Sequence, residues 1–189
     1  MKKTFVLCCL FLLTACIDVD DYGDYWSKTM IDPAIAGRWA KVSEENESKL
    51  TGQEWELTLK DNAYSAQSYK DGKKTDEDPL YPVKSMQIGN YTFLATGPER
   101  GTIVRYNIVG DTASIYVANP TMAWDFISRQ FPDQSEIYRD DPDPADSAED
   151  NRDRPLHIKE FDDDVAKVLA AIPNNGMYWE IDAELKKVR

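Results

Sequence analysis

Histidine occurs once in this 189-residue chain, at His157, and cysteine three times, at Cys8, Cys9 and Cys16. All the thiols stand in the first sixteen residues, so the rest of the chain cannot form a disulfide or a thiolate metal site. With one imidazole and no downstream thiol, the usual zinc sets and Cys-His nucleophile systems lack parts. No GxSxG elbow places a serine for a Ser-His-Asp set, and no glycine-rich phosphate loop appears; GPERG (97–101) reads as a turn. Catalytic, metal and cofactor residues are therefore expected to be none. Apolar runs are short as well. The longest, TFVLCCLFLL at 4–13, has 10 residues, against the ~20 that a helix needs to cross a bilayer. Basic residues are outnumbered 22 to 34, for a net charge of −12. That balance opposes nucleic acid and anionic lipid surfaces as partners, and allows a cationic partner without demanding one.

What the N-terminus does contain is ordered. Lys2 and Lys3 precede the apolar run, and the small residue Ala15 closes it, the arrangement of a secretory signal peptide over residues 1–15. The next four-residue motif, Leu13-Thr14-Ala15-Cys16, resembles the lipobox of bacterial lipoproteins. The resemblance implies cleavage before Cys16 and acyl chains on its thiol and new amino group. Several acyl chains exceed the two signals that stable anchoring requires, at ~0.8 kcal/mol per buried methylene. Ile17, not Asp, follows the cysteine. By resemblance to enterobacterial sorting this favours the outer membrane, with the domain facing the periplasm. Cleavage removes two lysines and no acids, taking the charge from −12 to −14.

Residues 16–33 carry four acids between positions 17 and 24 and show no steady period, which predicts an acidic, lipid-anchored tether. Tyr22, Tyr25 and Trp26 are more aromatic than a linker requires and are expected to dock on the domain. Residues 34–189 then form a single β-rich domain. Within it, 139–155 holds three prolines, seven acids and no large apolar residue, and is predicted to be a disordered loop.

From Gly37 the pattern has period two. Strands are predicted at 37–42, 54–60, 63–69, 81–88, 91–96, 102–109 and 112–118. Turn pairs separate several of them: Asp61-Asn62, Asp71-Gly72, Gly89-Asn90 and Gly110-Asp111. Hairpins in unbroken succession give an antiparallel up-and-down meander, closing as a small barrel or rolled sheet. Asn119-Pro120 opens a helix with a stripe of Met122, Phe126 and Ile127. A second runs over 162–172, with three aspartates at its start and Val165, Val168, Leu169 and Ile172 at helical spacing. These one or two C-terminal helices are expected to cover the barrel. Residues 177–188 fit a strand or a helix equally.

Gly37-Arg38-Trp39, opening the first strand, resembles the Gly-x-Trp signature of lipocalins. It implies a calycin-like barrel with Trp39 at its closed end. Trp39 and Trp55 are thus the barrel-core candidates for ligand binding. No Thr-Asp-Tyr segment follows near the late strands, and no arginine stands in a matching C-terminal position to stack on Trp39. The aspartates from Asp141 to Asp146 fail the calcium-loop pattern, which needs glycine at the sixth position and glutamate at the twelfth; Asp146 and Arg152 stand there. His157 alternates with Leu156 and Ile158, on the opposite face.

Three functions fit. The first is a non-enzymatic envelope lipoprotein acting as a protein-interaction module, either an assembly accessory or an inhibitor or immunity type that neutralises a cationic toxin or hydrolase. The second is a lipocalin-like carrier of a small hydrophobic ligand, which needs a dry cavity of at least ~300 Å3. The third is a carboxylate-based hydrolase of cell-wall sugars, which needs two carboxyls facing across a cleft.

Overall fold

In chain order the strands and helices are Ile17–Val19 (β1), Gly37–Ser43 (β2), Asn46–Lys60 (β3), Ala63–Lys70 (β4), Lys73–Lys74 (β5), Leu80–Ile88 (β6), Tyr91–Thr96 (β7), Gly101–Val109 (β8) and Thr112–Ala118 (β9). Then come Pro120–Gln130 (α1), Ile137–Tyr138 (β10), His157–Ile158 (β11), Asp163–Ala171 (α2) and Trp179–Val188 (β12). This computed structural model describes residues 17–75, 78–139 and 154–188, without the side chains of residues 47 and 48. Cys16 with the rest of the lipobox, the aspartates from Asp141 to Asp146 and most of 139–155 lie outside the described residues.

Eight strands close a barrel in the order β2-β3-β4-β6-β7-β8-β9-β12, and β12 returns to pair with β2. Every pairing in the ring is antiparallel. Closure leaves the ring without a free edge. The meander is therefore the predicted one, and residues 177–188 supply its closing strand rather than a helix. The turn pairs act as their chemistry requires: Asp61 and Asn62 both take positive φ, 47° and 62°, joining β3 to β4 in a two-residue hairpin. Gly89 has a second reason to be glycine, since a Cβ there would stand 2.8 Å from the Cβ of Ala170 on α2.

Alternation along the strands feeds two cores. Inside the barrel lie Trp39, Trp55, Tyr64, Leu94, Tyr106 and Ile115, among others. On its outer side, Met86, Ile88, Phe93 and Ile103 of β6–β8 pack under Ile127 of α1 and Val165, Val168 and Leu169 of α2. That double burial leaves YTFLAT (91–96) buried at five of its six positions. The helices cover the wall of the barrel. α2 buries its predicted stripe, and Asp162 caps it by accepting from the amides of Asp164 and Val165. α1 departs from its predicted stripe. Ala123 and Ile127 are buried, whereas Phe126 is half-buried against the edges of Phe131 and Tyr178.

The predicted tether is corrected from Ile17 onward. β1 pairs antiparallel with β8 and parallel with β11, while β10 pairs with β11, extending the sheet beyond the barrel. Ile17, Val19 and Tyr22 are buried in the outer core, and the Tyr22 hydroxyl donates to the Thr102 carbonyl at 3.0 Å. Tyr25 and Trp26 dock as expected, Tyr25 on Phe161 and Trp26 on Tyr22. The acids hide this strand because Asp18 and Asp20 alternate with Ile17 and Val19, a period-two signal only four residues long. The folded domain thus begins near Ile17, not residue 34.

Replacing a fully buried aromatic leaves a cavity, so Tyr22→Ala is expected to lower unfolding stability by ~3 kcal/mol in urea titration. A position in a free spacer would shift it by less than ~0.5 kcal/mol.

Candidate functional site

The interior residues come first. Trp39 and Trp55 are direct cross-strand partners on β2 and β3, and both are buried. The Trp39 indole N–H donates to the Ile35 carbonyl at 2.8 Å. Lys187 of β12 lies over the same ring, 5.1 Å from its centroid. A lysine thus makes the contact for which the sequence offered no matching arginine. The segment from Met30 to Ala36 closes this end of the barrel. Met30 and Ser85 exchange backbone hydrogen bonds, and Asp32 accepts from the hydroxyls of Tyr106 (2.6 Å, at its carboxylate) and Tyr64 (3.2 Å, at its carbonyl). Burial and the Asp32 carboxylate push the Tyr106 phenol well above its ordinary pKa. The structure therefore brings Trp39 and Trp55 together as packing at the heart of the interior cluster.

A groove of about 450 Å3 lies on the outside, where β9 and β12 meet the turn after α2. Tyr116, Trp179 and Ile181 line it on the strand side, and Asn174, Asn175 and Gly176 on the turn side. A bulge shapes it. Ile181 opposes Tyr116 but Ala183 opposes Ile115, so Asp182 is an extra residue on β12. Trp179 before the bulge joins the outer core, and Ala183 and Leu185 after it join the interior. One odd-numbered apolar series thereby serves both cores.

Arg105 stands behind the groove, 7% exposed, on an outward position of β8. Its guanidinium carbon is 4.3 Å from the centroid of Tyr91, 4.6 Å from that of Tyr116 and 5.3 Å from that of Trp179. Three rings replace the water a cation would otherwise hold. Nη2 donates to Asn174 Oδ1 at 2.8 Å, which ties the turn after α2 to the barrel wall. Burial presses the guanidinium below its ordinary pKa, while Tyr91 and Tyr116 oppose that shift. Among the described residues no carboxylate pairs with Arg105. Arg105 Nη1 and Trp179 Nε1 are both buried with no acceptor among the described residues. Chemically this is a rigid aromatic wall holding two N–H donors suited to an oxygen acceptor. Sequence reading missed Arg105 because a lone charge in an outward strand position normally meets solvent; only the outer layer over β8 makes it buried.

The other candidates are placed as follows. His157 stacks on Tyr138, ring centroids 5.1 Å apart, with Nδ1 3.8 Å from the Asp18 carboxylate, so it clamps the outer strands together. Among the described residues no group of three or more His, Cys, Asp or Glu could hold a metal ion. Among the described residues the groove is lined by one carboxylate, Glu180, which accepts from the Asn119 amide at 2.9 Å. No family model, no curated protein and no solved structure matches this chain.

At the bulge, burial raises the Asp182 carboxyl above its ordinary pKa, against the pull of Lys41 and with a push from Glu44. An acid raised in this way costs the fold stability once ionised. That stability is fully present below the unfolded pKa, ~4, and lost as pH rises through the folded one. Asp182→Asn is therefore expected to raise the urea midpoint at about pH 7, the gain shrinking to nothing by about pH 3. A gain that is equal at both pH values contradicts the assignment.

Proposed function

We propose that this chain is a lipid-anchored, non-enzymatic binding module of the bacterial envelope. Acyl chains on Cys16 hold it at the outer membrane facing the periplasm, and its acidic exterior engages a cationic envelope protein, in the manner of an inhibitor or immunity lipoprotein. The observation that carries the choice among the three functions is the packed barrel. Trp39, Trp55, Tyr64 and Tyr106 occupy the space a carrier would give to its ligand, which leaves the outer surface for contact. The hydrolase reading finds less support, because glycoside hydrolysis needs two opposed carboxyls and, among the described residues, the groove is lined by Glu180 alone.

The charge sets the kind of partner. A mature chain of −14 attracts a basic protein over about a Debye length, ~8 Å at physiological salt. Anchoring adds proximity, since partners held at the same membrane meet at raised effective concentration.

Fatty-acid labelling in the native host tests the reading together with pull-down. The wild-type chain is expected to incorporate labelled palmitate, fractionate with outer membranes and capture a basic protein that elutes as salt is raised. Cys16→Ala is expected to lose both label and membrane fractionation. If the variant fractionates with the parent, the anchoring is wrong; if capture is insensitive to salt, the electrostatic basis is.

A further inference from the structure

Resting on the lipid-anchor reading, we infer that the groove face between β9 and β12 lies on the bilayer, its occupant the boundary between headgroups and acyl chains. The first ground is the missing spacer. Ile17 is already paired to Ile103 in the sheet and buried, and the Asp18 amide donates to the Leu156 carbonyl at 2.9 Å. Consecutive Cα atoms stand ~3.8 Å apart. An anchor on Cys16 is thus one peptide unit from a fixed strand, with no peptide spacer to let the domain stand off.

Register then identifies which surface the anchor adjoins. β8 pairs with β7 along one edge, at Ile103 and Arg105 among others. Along its other edge it pairs first with β1 and then with β9. Ile17 faces Ile103 there, and Tyr116 faces Arg105. The two partners therefore occupy the same edge two residues apart, about 7 Å along the strand. Tyr116 is a wall of the groove, and Ile181 is its neighbour across β12. The chain enters the fold beside this groove.

The surface has the chemistry of an interfacial contact. Ile181 and Met177 are each 56% exposed, and Tyr178 and Phe126 are half-buried beside one another. Aromatic rings with polar tips favour the headgroup level. Among the described residues that line the groove there is no cation, and Arg105 behind it is covered by Tyr116 rather than displayed to anionic lipid. So small a patch is too weak to bring a free protein of −14 to a membrane. For a protein already tethered, the second contact is intramolecular and weak affinity suffices.

Because Cys16 is the only cysteine after cleavage and its thiol is acylated, single-cysteine probes are clean. The full acylated chain carrying Ile181→Cys, and separately Thr58→Cys, is labelled with an environment-sensitive fluorophore and placed in phosphatidylcholine vesicles containing nitroxide headgroup lipid. Thr58 is exposed on β3, four strands from β8 around the ring. The Ile181 probe is expected to shift blue and lose most of its emission to the nitroxide, while the Thr58 probe keeps its emission. The Cys16→Ser forms should show neither effect. Acylated protein whose two probes respond alike, or whose Ile181 probe stays in water, overturns the orientation while leaving the anchor intact. Absence of fatty acid from the purified chain overturns the anchor and this inference with it.

Discussion

One edge of β8 carries two strands in succession, and the arrangement of the molecule depends on that division. β9 holds the edge from Val109 to Arg105 and then departs to pair only with β12; β1 takes the edge from Ile103 to Gly101. Had β9 continued, Ile17 and Val19 would lose their partners on β8, and the outer sheet of β1, β11 and β10 its foundation. Because it departs, the N-terminal segment is welded to the barrel. The outer core also gains Tyr22, Leu156 and Ile158 beneath the same layer as the helices.

A second constraint acts on the same side of the barrel. β12 must close the ring and also cover Phe93 and Arg105 with Trp179, which lies 5.8 Å from the Phe93 ring. A strand of strict alternation would keep Trp179, Ala183 and Leu185 on one face. The extra residue Asp182 switches faces between them, at the cost of half-burying a carboxylate whose pKa is thereby raised. The groove is the exterior expression of that switch, since Ile181 is stranded outside just before the chain turns inward.

The barrel was legible because its signals are local. Two-residue turns such as Asp61-Asn62 and alternation such as Trp55, Leu57 and Leu59 specify hairpins without reference to distant parts of the chain. The Asn119-Pro120 cap and the three aspartates that open α2 were legible for the same reason. What escaped depended on contacts distant in sequence. β1, β10 and β11 are two or three residues long and take their partners from segments tens of residues away. The far longer β3 was read only from Glu54, because Asn46 to Gln53 is polar and lacks an apolar alternation. At the site, Trp39 and Trp55 lie in the interior cluster, each on a strand whose alternation is itself local. Arg105 and the groove arise where β7–β9 meet the stretch 174–181, a meeting of distant parts of the chain that no local period encodes.

On this account the N-terminal segment is a structural strand, and an anchor attached just before it meets a folded wall instead of a flexible arm. Native-state hydrogen exchange at two amides measures this directly. Asp18 donates to Leu156 at 2.9 Å and Asp20 to Ile158 at 2.8 Å. Both are predicted to exchange as slowly as the β8 amides, because opening them requires disrupting the outer core. Exchange of these two amides at the rate of an unstructured peptide, with β8 still protected, would contradict the account.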